Sequence, residues 1–218
     1  MMTTNKLTKT FASGSLAIGV LAGAVLTATS ASAASMMLTW AAWTGGTPLA
    51  IDDKIVTYVS GDIGADPLDD VELMGMGDHH YFLYDATTMD SPDANMGPGG
   101  SFTYTIEVNP LISNKHIIGV DLDSDVSSNY GTLTETFLEV PNVLMSVNGS
   151  AVPLTGFEPI APKQLLTVTN TLVNADPNNE GLFQFQNSFH QSVPEPGTIL
   201  GLLAVGGLGL VSRFKKQK

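Results

Sequence analysis

No cysteine occurs among the 218 residues of the chain. Disulfide bonds, thiol nucleophiles and zinc–thiolate centres are therefore excluded, and so is attachment of a lipid to an N-terminal cysteine. If the protein is held at a membrane, the C-terminal apolar segment is the obvious means.

Basic residues are scarce between the two ends of the chain. Charged residues make up 14% of the sequence, against about 25% in typical soluble domains. Residues 34–196 contain all 21 acidic residues but only three basic ones, Lys54, Lys115 and Lys163, so this segment has a formal charge of −18. Such a charge repels nucleic acid, anionic lipid and acidic polysaccharide unless cations intervene. We therefore expect no direct binding to nucleic acid.

The first 33 residues have the three parts of a secretory signal peptide. Two lysines precede an uninterrupted apolar stretch at 16–26, and a run of small residues follows it. Ala31 and Ala33 form the Ala-x-Ala pattern that signal peptidase recognises, which predicts cleavage after Ala33. The alternative is a retained membrane helix, but eleven apolar residues are short for a segment that needs about 20. We predict a signal helix in 1–33 that signal peptidase removes.

The most specific motif is near the other end of the sequence, where Val193-Pro194-Glu195-Pro196 precedes an apolar segment. Each proline fixes its own φ angle, lacks an N–H donor and favours extended structure in the preceding residue. The motif therefore presents the Glu195 carboxylate on a stiff, strand-like stalk. The alternative is a plain proline-rich linker to a permanent membrane anchor.

The segment after this motif predicts a transmembrane helix at 197–212. Residues 197–211 carry no charge, and as a helix they would extend about 22 Å at 1.5 Å per residue. This is shorter than the hydrocarbon core of about 30 Å, so the bilayer would thin or the flanking residues would snorkel. A basic tip at 213–218 should stay cytoplasmic and leave the acidic segment outside. Its basic residues are Arg213, Lys215, Lys216 and Lys218.

Val193 to Lys218 resembles the PEP-CTERM family of exported bacterial proteins in the order, spacing and position of motif, apolar segment and basic tip. The tip is slightly atypical, because many members have a denser run of arginines. The resemblance implies sorting by an exosortase, a membrane-embedded transpeptidase-like enzyme thought to cut near the motif. It also implies a transient single-pass membrane protein that then reaches the cell surface or matrix of a bacterium making extracellular polysaccharide, biofilm or flocs.

Apolar and polar residues alternate with a period of two through residues 34–192, which predicts one all-β domain of antiparallel strands. In three segments the apolar residues predicted to face inward are Phe102, Tyr104, Ile106 and Val108; Ile118, Val120 and Leu122; and Phe183, Phe185 and Phe189. Further strands are predicted at Met36–Trp43, Lys54–Ser60, Tyr81–Asp85, Thr132–Val140, Val143–Val147, Ser150–Leu154 and Gln164–Val173. Turn-rich segments between the strands favour an immunoglobulin-like or jelly-roll-like β-sandwich.

Two local patterns within this domain have specific structural meaning. Asn148-Gly149, between two predicted strands, is typical of a two-residue hairpin turn. Trp40 and Trp43 would lie on opposite faces of a strand, where packing is expected, although an exposed tryptophan could stack on a sugar.

The best candidate for a metal site is Asp121, Asp123 and Asp125, whose carboxylates lie on one face of a predicted strand. Carboxylate oxygens suit Ca²⁺, which extracellular modules bind at about 0.1 to 1 mM. The sequence is not an EF-hand, because Val126 replaces the required glycine. The simpler interpretation is the solvated face of an acidic strand. A second acidic group lies in a loop and consists of Asp66, Asp69 and Asp70.

The histidines provide weaker evidence for a metal site, and the sequence provides little evidence for a catalytic site. His79 and His80 are adjacent, so on a strand they point to opposite faces and do not readily share one ion. His116 and His190 have no partner recognisable in the sequence. Catalytic motifs of zinc proteases and serine hydrolases do not occur, and nothing singles out a carboxylate pair for glycoside hydrolysis.

The sequence therefore predicts a non-enzymatic surface or matrix protein without a required cofactor, sorted by an exosortase and associated with biofilm or extracellular polysaccharide. The first alternative is a calcium-dependent carbohydrate-binding or adhesion module. The second is a secreted hydrolase.

Overall fold

The structure, a computed structural model, describes residues 34–152 and 157–192. This part of the chain contains thirteen strands and one short helix. The elements are β1 (Ala34–Thr39), α1 (Trp40–Thr44), β2 (Leu49–Ile51), β3 (Lys54–Asp62), β4 (Asp70–Met76), β5 (His79–Asp85), β6 (Gly99–Val108), β7 (His116–Val126), β8 (Gly131–Phe137), β9 (Val143–Val147), β10 (Ser150–Val152), β11 (Glu158–Lys163), β12 (Leu165–Asn174) and β13 (Leu182–Ser192).

The strands form two antiparallel sheets, so the prediction of an all-β domain is confirmed. Sheet A has the order β1-β4-β5-β13-β7-β11, and sheet B has the order β10-β9-β8-β12-β6-β3-β2. Four antiparallel pairs are nested along the chain: β8 with β9, β7 with β11, β6 with β12, and β5 with β13. The last strand of the domain therefore lies inside sheet A, between β5 and β7.

The two sheets pack face to face over an aromatic core. The ring of Trp43 lies 5.1 Å from that of Phe82 in sheet A and 5.4 Å from that of Tyr58 in sheet B. Tyr104 of sheet B stacks on Phe82 at 4.6 Å. Full burial of each such side chain contributes about 1.5 to 3 kcal/mol, so these contacts hold the sheets together.

The alternation in β6 is confirmed, since all four of its predicted inward side chains are buried. The same prediction is wrong for Ile118 in β7. A bulge shifts the register between the pairs His190–Gly119 and Gln191–Ile117. An unpaired residue at a bulge reverses the alternation of inward and outward side chains beyond it. Ile117 is therefore buried, and Ile118 is partly exposed.

The predicted strand Met36–Trp43 is wrong beyond Thr39, where a short helix begins. The Thr39 hydroxyl accepts a hydrogen bond from the backbone N–H of Ala42, the N-cap interaction that starts a helix. Trp40 and Trp43 therefore lie on this helix rather than on opposite faces of a strand. Both are buried in the core, as packing required, and neither presents an exposed ring to a sugar.

The other predicted strands in the described residues are present, with bounds that differ by at most three residues where they can be compared. Residues 153–154 of the predicted strand Ser150–Leu154 lie outside the described part. Asn148 and Gly149 have φ angles of 49° and 79° and join β9 to β10, so the two-residue hairpin is confirmed.

Three strands were not predicted from the sequence: β2, β4 and β11. Charged Asp70 and Glu72 hid β4, although its alternate residues Val71 and Leu73 are fully buried. β11 contains two prolines and pairs with one neighbour at the end of sheet A. An edge strand tolerates proline because one row of its N–H groups needs no partner.

In residues 34–152 and 157–192, no helix is long and apolar enough to cross a membrane. The predicted signal helix in 1–33 and the predicted transmembrane helix at 197–212 lie outside the described residues.

Candidate functional site

The predicted processing residues are not part of the described structure. Ala31 and Ala33, the sorting motif at 193–196 and the basic tip at 213–218 all lie outside it. The structure does show what immediately precedes the motif, because β13 continues as far as Ser192.

Asp121, Asp123 and Asp125 lie on the outer face of β7, with Val120 and Leu122 buried behind them. Asp123 and Asp125 are exposed, whereas Asp121 is half-buried, and burial raises the pKa of Asp121. Among the residues that the structure describes, no three histidine or acidic side chains form a group that could hold a metal ion. Calcium binding therefore stays a prediction.

The side chains that face these carboxylates were not predicted from the sequence. Gln184 and Gln186 of β13 lie opposite Asp125 and Asp123 in the sheet register. Together with Leu83 of β5 they line a pocket of about 200 Å³, the outer-face pocket. No local signal predicts this grouping, because about 60 residues separate β7 from β13.

The second acidic loop has a structural role. Asp69 is buried, and its carboxylate accepts hydrogen bonds from the Tyr84 hydroxyl at 2.6 Å, the Ser91 hydroxyl at 2.9 Å and the Asp66 backbone N–H at 2.8 Å. Burial raises the pKa of Asp69 despite these bonds. Asp70 starts β4 and pairs with Asp85 of β5, so the three loop carboxylates are not brought to one point.

The two adjacent histidines point to opposite sides of sheet A, as predicted. His79 packs against His190, with ring centroids 4.6 Å apart, because these residues are paired between β5 and β13. No partner of His190 was recognisable in the sequence, because that pairing joins positions 111 residues apart. His80 points inward and is buried.

Inward-facing His80 belongs to a buried polar group at one end of the domain. This group, the Lys54 cluster, consists of Asp53, Lys54, His80 and Gln191, all at most 6% exposed. Lys54 Nζ donates a hydrogen bond to Asp53 Oδ1 at 2.6 Å and another to Gln191 Oε1. His80 Nε2 lies 3.9 Å from Asp53 Oδ1, and neither ring nitrogen of His80 has a hydrogen-bond partner in the described protein.

Turns and strand ends bring the Lys54 cluster together. Asp52 and Asp53 form the turn between β2 and β3, and Asp52 has a φ of 48°. The backbone carbonyl of Asp53 accepts a hydrogen bond from Asn109 N–H at 2.8 Å. Gly75 leaves room beside Asp52 and His80, since a Cβ there would lie 2.9 Å from a carboxylate oxygen of Asp52 and 3.4 Å from His80 Nε2.

Burial sets the electrostatics of the Lys54 cluster. It lowers the pKa of Lys54, against the attraction of Asp53, and it lowers the pKa of His80 to about 4. Burial would raise the pKa of Asp53, but Lys54 and the neighbouring Ser113 outweigh it and hold that pKa below its ordinary value. The cluster therefore contains an ionised carboxylate, a neutral imidazole and an amine that loses its proton more easily than usual.

A pocket of about 410 Å³, the tail-side pocket, leads from the protein surface to this cluster. Asp53, His80 and Gln191 form its inner part, and Ile112, which is 65% exposed, lies at its surface. Lys115 also lines the pocket and forms an ion pair of 2.8 Å with Asp78. Sheet A residues and residues of the neighbouring turns and loops therefore surround a solvent-accessible space beside Lys54.

Comparison with known proteins identifies the segment that begins beside this cluster. Residues 192–216 match the family model of the PEP-CTERM protein-sorting motif. The match confirms the predicted resemblance and is confined to the C-terminal segment. It implies an exported, extracellular protein that passes through a membrane-anchored stage and has an exosortase as its processing partner. No curated protein matches the chain.

Proposed function

We propose that the chain is a non-enzymatic surface or matrix protein that an exosortase cuts near Glu195, and that it associates with biofilm or extracellular polysaccharide. Signal peptidase would first remove residues 1–33. One observation carries this proposal: β13 ends at Ser192, where the matched sorting motif begins. The domain is therefore joined to its sorting signal without an intervening linker.

The position of β13 suits a domain that is attached through its C-terminal end. β13 is hydrogen-bonded to β5 on one side and to β7 on the other. Near its end, Gln191 N–H also donates a hydrogen bond to the Asp78 carbonyl at 2.9 Å. A pull on the attached tail would act on a strand paired along both edges, which supports a structural role at the cell surface.

The spacing of the tail further supports presentation to a membrane enzyme. Four residues, 193–196, separate β13 from the apolar segment, and such a stretch cannot span more than about 14 Å. Before cleavage, the end of the domain that carries the Lys54 cluster would therefore be held close to the membrane surface.

Processing in the native host tests the proposal. We expect Glu195→Gln to leave an uncut protein in the membrane fraction, because the motif would lose its only carboxylate. Glu158→Gln, which changes a half-buried acid in edge strand β11, should be cut and released like the wild type. Normal processing of both Glu195→Gln and a variant with a neutralised basic tip would contradict the sorting role. Absence of the mature protein from the polysaccharide fraction would contradict the matrix association.

We also propose that the domain is a jelly-roll-like rather than an immunoglobulin-like sandwich. The nested pairs β5–β13, β6–β12, β7–β11 and β8–β9 are those of a long hairpin rolled into two sheets. The eight strands divide between the sheets as β5-β13-β7-β11 and β6-β12-β8-β9. Two such sheets with Greek-key connections are the architecture of jelly-roll lectin and capsid domains. An experimental structure that paired these strands differently would reject this assignment.

The outer-face pocket favours a second candidate function, a calcium-dependent glycan-binding module. Carboxylates of Asp123 and Asp125 lie beside the Gln184 and Gln186 amides, and such groups can ligate Ca²⁺ or hydrogen-bond sugar hydroxyls. Calorimetry with millimolar Ca²⁺ and with a chelator tests it. We expect Ca²⁺ to raise the melting temperature of the wild type and of Asp176→Asn, but not of Asp123→Asn. An unchanged wild-type melting temperature would reject this function.

A further inference from the structure

Lys54 and Gln191 make a buried contact between the two sheets. Lys54 begins β3 in sheet B and Gln191 lies near the end of β13 in sheet A, 137 positions apart in the sequence. Lys54 is 1% exposed and Gln191 is 2% exposed. The amine of Lys54 is in direct contact with the carboxamide oxygen of Gln191, and its other partner is the Asp53 carboxylate at 2.6 Å.

We propose that Lys54 and Gln191 become joined by an intramolecular isopeptide bond. Lys54 Nζ attacks the side-chain carbonyl carbon of Gln191, so that a new C–N bond forms and the bond from this carbon to the amide nitrogen breaks. The Lys54 ammonium and the Gln191 carboxamide are thereby converted to a secondary amide and an ammonium ion. Atoms and charge balance without an oxidant, a reductant or a co-reactant.

The neighbours of Lys54 supply the proton transfers that this reaction needs. The amine must lose a proton before it can attack, and the Asp53 carboxylate is placed to accept it. Burial makes that step easier by lowering the pKa of Lys54. The leaving nitrogen must gain a proton, and Asp53 can return the proton that it accepted from Lys54. General acid–base assistance of this kind accelerates reactions by about 10²- to 10⁴-fold.

The fold also supplies proximity and a route for the product. Amines do not attack unactivated amides at a useful rate in dilute solution, but two groups held in contact react as if their concentration were about 10⁵ to 10⁸ M. Gln191, Asp53 and His80 line the tail-side pocket. The released ammonia therefore has a path from the buried bond to solvent.

Such a bond would connect sheet B covalently to the strand that leads into the sorting signal. The matched motif begins one residue after Gln191, and the chain has no cysteine with which to form a disulfide there. The cross-link would hold β13 in place when the tail is pulled. The proposal does not depend on exosortase cleavage, and a chain lacking the cross-link would still carry its sorting motif.

Mass spectrometry of the folded, exported protein tests the cross-link. We expect an intact mass lower than the sequence mass by one ammonia molecule, once the mature ends are assigned. We also expect a branched peptide in which the Lys54 segment is joined to the Gln191 segment, with no tryptic cleavage after Lys54. A folded wild-type protein with its full mass and separate, linear Lys54 and Gln191 peptides would overturn the proposal.

Substitutions test which residues take part in the cross-linking reaction and which only lie near it. Lys54→Met should have the full mass, and Asp53→Asn should lose ammonia at least tenfold more slowly while circular dichroism shows a folded protein. Lys115→Arg, which changes the lysine that lines the tail-side pocket, should be cross-linked like the wild type. Equal cross-linking of Asp53→Asn and the wild type would overturn the assignment of Asp53. If Lys54→Met does not fold, the wild-type peptide map decides the matter.

Discussion

Asn170 and Asn187 join the two sheets through reciprocal hydrogen bonds in the centre of the domain. Asn170 Nδ2 donates to Asn187 Oδ1 at 3.3 Å, and Asn187 Nδ2 donates to Asn170 Oδ1 at 3.1 Å. Both residues are fully buried, Asn170 on β12 of sheet B and Asn187 on β13 of sheet A. Since each amide depends on the other, the pair favours one alignment of the sheets.

Replacing one member of this pair should destabilise the domain. We expect Asn187→Ala to lower the free energy of unfolding by about 2 to 4 kcal/mol, because it leaves Asn170 without its partner and opens a cavity. Urea unfolding measures the change. The control Asn178→Ala, at an exposed loop position, should change stability by no more than about 0.5 kcal/mol. Equal effects of the two variants would contradict a structural role for the pair.

Glu135 should make the protein less stable as the pH rises. It is fully buried, and burial raises its pKa well above the ordinary value of 4.5. Above pH 4.5 the unfolded chain loses this proton while the folded chain keeps it, so the free energy of unfolding falls with increasing pH. Glu135→Gln cannot ionise and should therefore be more stable than the wild type at pH 7.

Urea unfolding of Glu135→Gln at several pH values checks this prediction. The advantage of the variant should shrink towards zero as the pH is lowered below 4.5, where both forms are neutral. Glu107→Gln, at a partly exposed position in sheet B, is the control. Its free energy of unfolding should change with pH as that of the wild type does. A Glu135→Gln profile parallel to that of the wild type would show that Glu135 is not buried as a neutral acid.

His80 should have the opposite effect on stability. Its pKa is about 4 in the folded protein because of burial, against 6.5 for an ordinary histidine. Between pH 6.5 and 4 the unfolded chain binds the proton more readily, so stability is lost as the pH falls through this window. The shift corresponds to about 3 kcal/mol at most.

Two measurements test the His80 prediction. An NMR titration should show the His80 ring still neutral at pH 5, and His80→Gln should have a shallower loss of stability between pH 6.5 and 4. Asp52, Asp53, Lys54 and Lys115 act on the same ring, so the ring itself has to be observed. A His80 midpoint near 6.5 would contradict burial of the neutral form.

Two glycines with positive φ angles should differ sharply in their tolerance of alanine. At Gly99, with φ +96°, an added Cβ would lie 2.2 Å from the Leu172 carbonyl oxygen, whereas at Gly77, with φ +66°, it would meet nothing within 4 Å. Gly77→Ala carries only backbone strain and should cost about 1 to 2 kcal/mol. Gly99→Ala adds a collision with backbone and should cost about 3 kcal/mol or more. Similar melting temperatures for the two variants would contradict the close approach of β6 and β12.

Local patterns were sufficient to predict much of the β structure. The alternation in β6 and the Asn148-Gly149 turn are correct because side-chain direction and turn geometry depend on neighbouring residues. Predictions from the alternation were wrong where a helix cap or a bulge interrupted a strand. The Thr39 cap started a helix inside the predicted strand at Met36–Trp43, and a bulge opposite Gln191 reversed the alternation at Ile118.

In the candidate sites, too, the features set by neighbouring residues could be predicted, whereas those set by contacts between distant strands could not. Exposure of Asp123 and Asp125 follows from the alternation of one strand, but their position beside Gln184 and Gln186 depends on the pairing of β7 with β13. Asp69 looked like a loop ligand in the sequence, yet contacts with Tyr84 and Ser91 make it part of the interior.

The sequence by itself determined the sorting signal and the strand-forming character of the domain, because both depend on the order of residues over short stretches. Tertiary structure alone decided that Lys54, Asp53, His80 and Gln191 share one buried site. Sheet order, rather than distance along the chain, brings β3, β5 and β13 to the same end of the domain. Burial then alters the chemistry of an otherwise ordinary lysine, and burial is a property of the assembled fold.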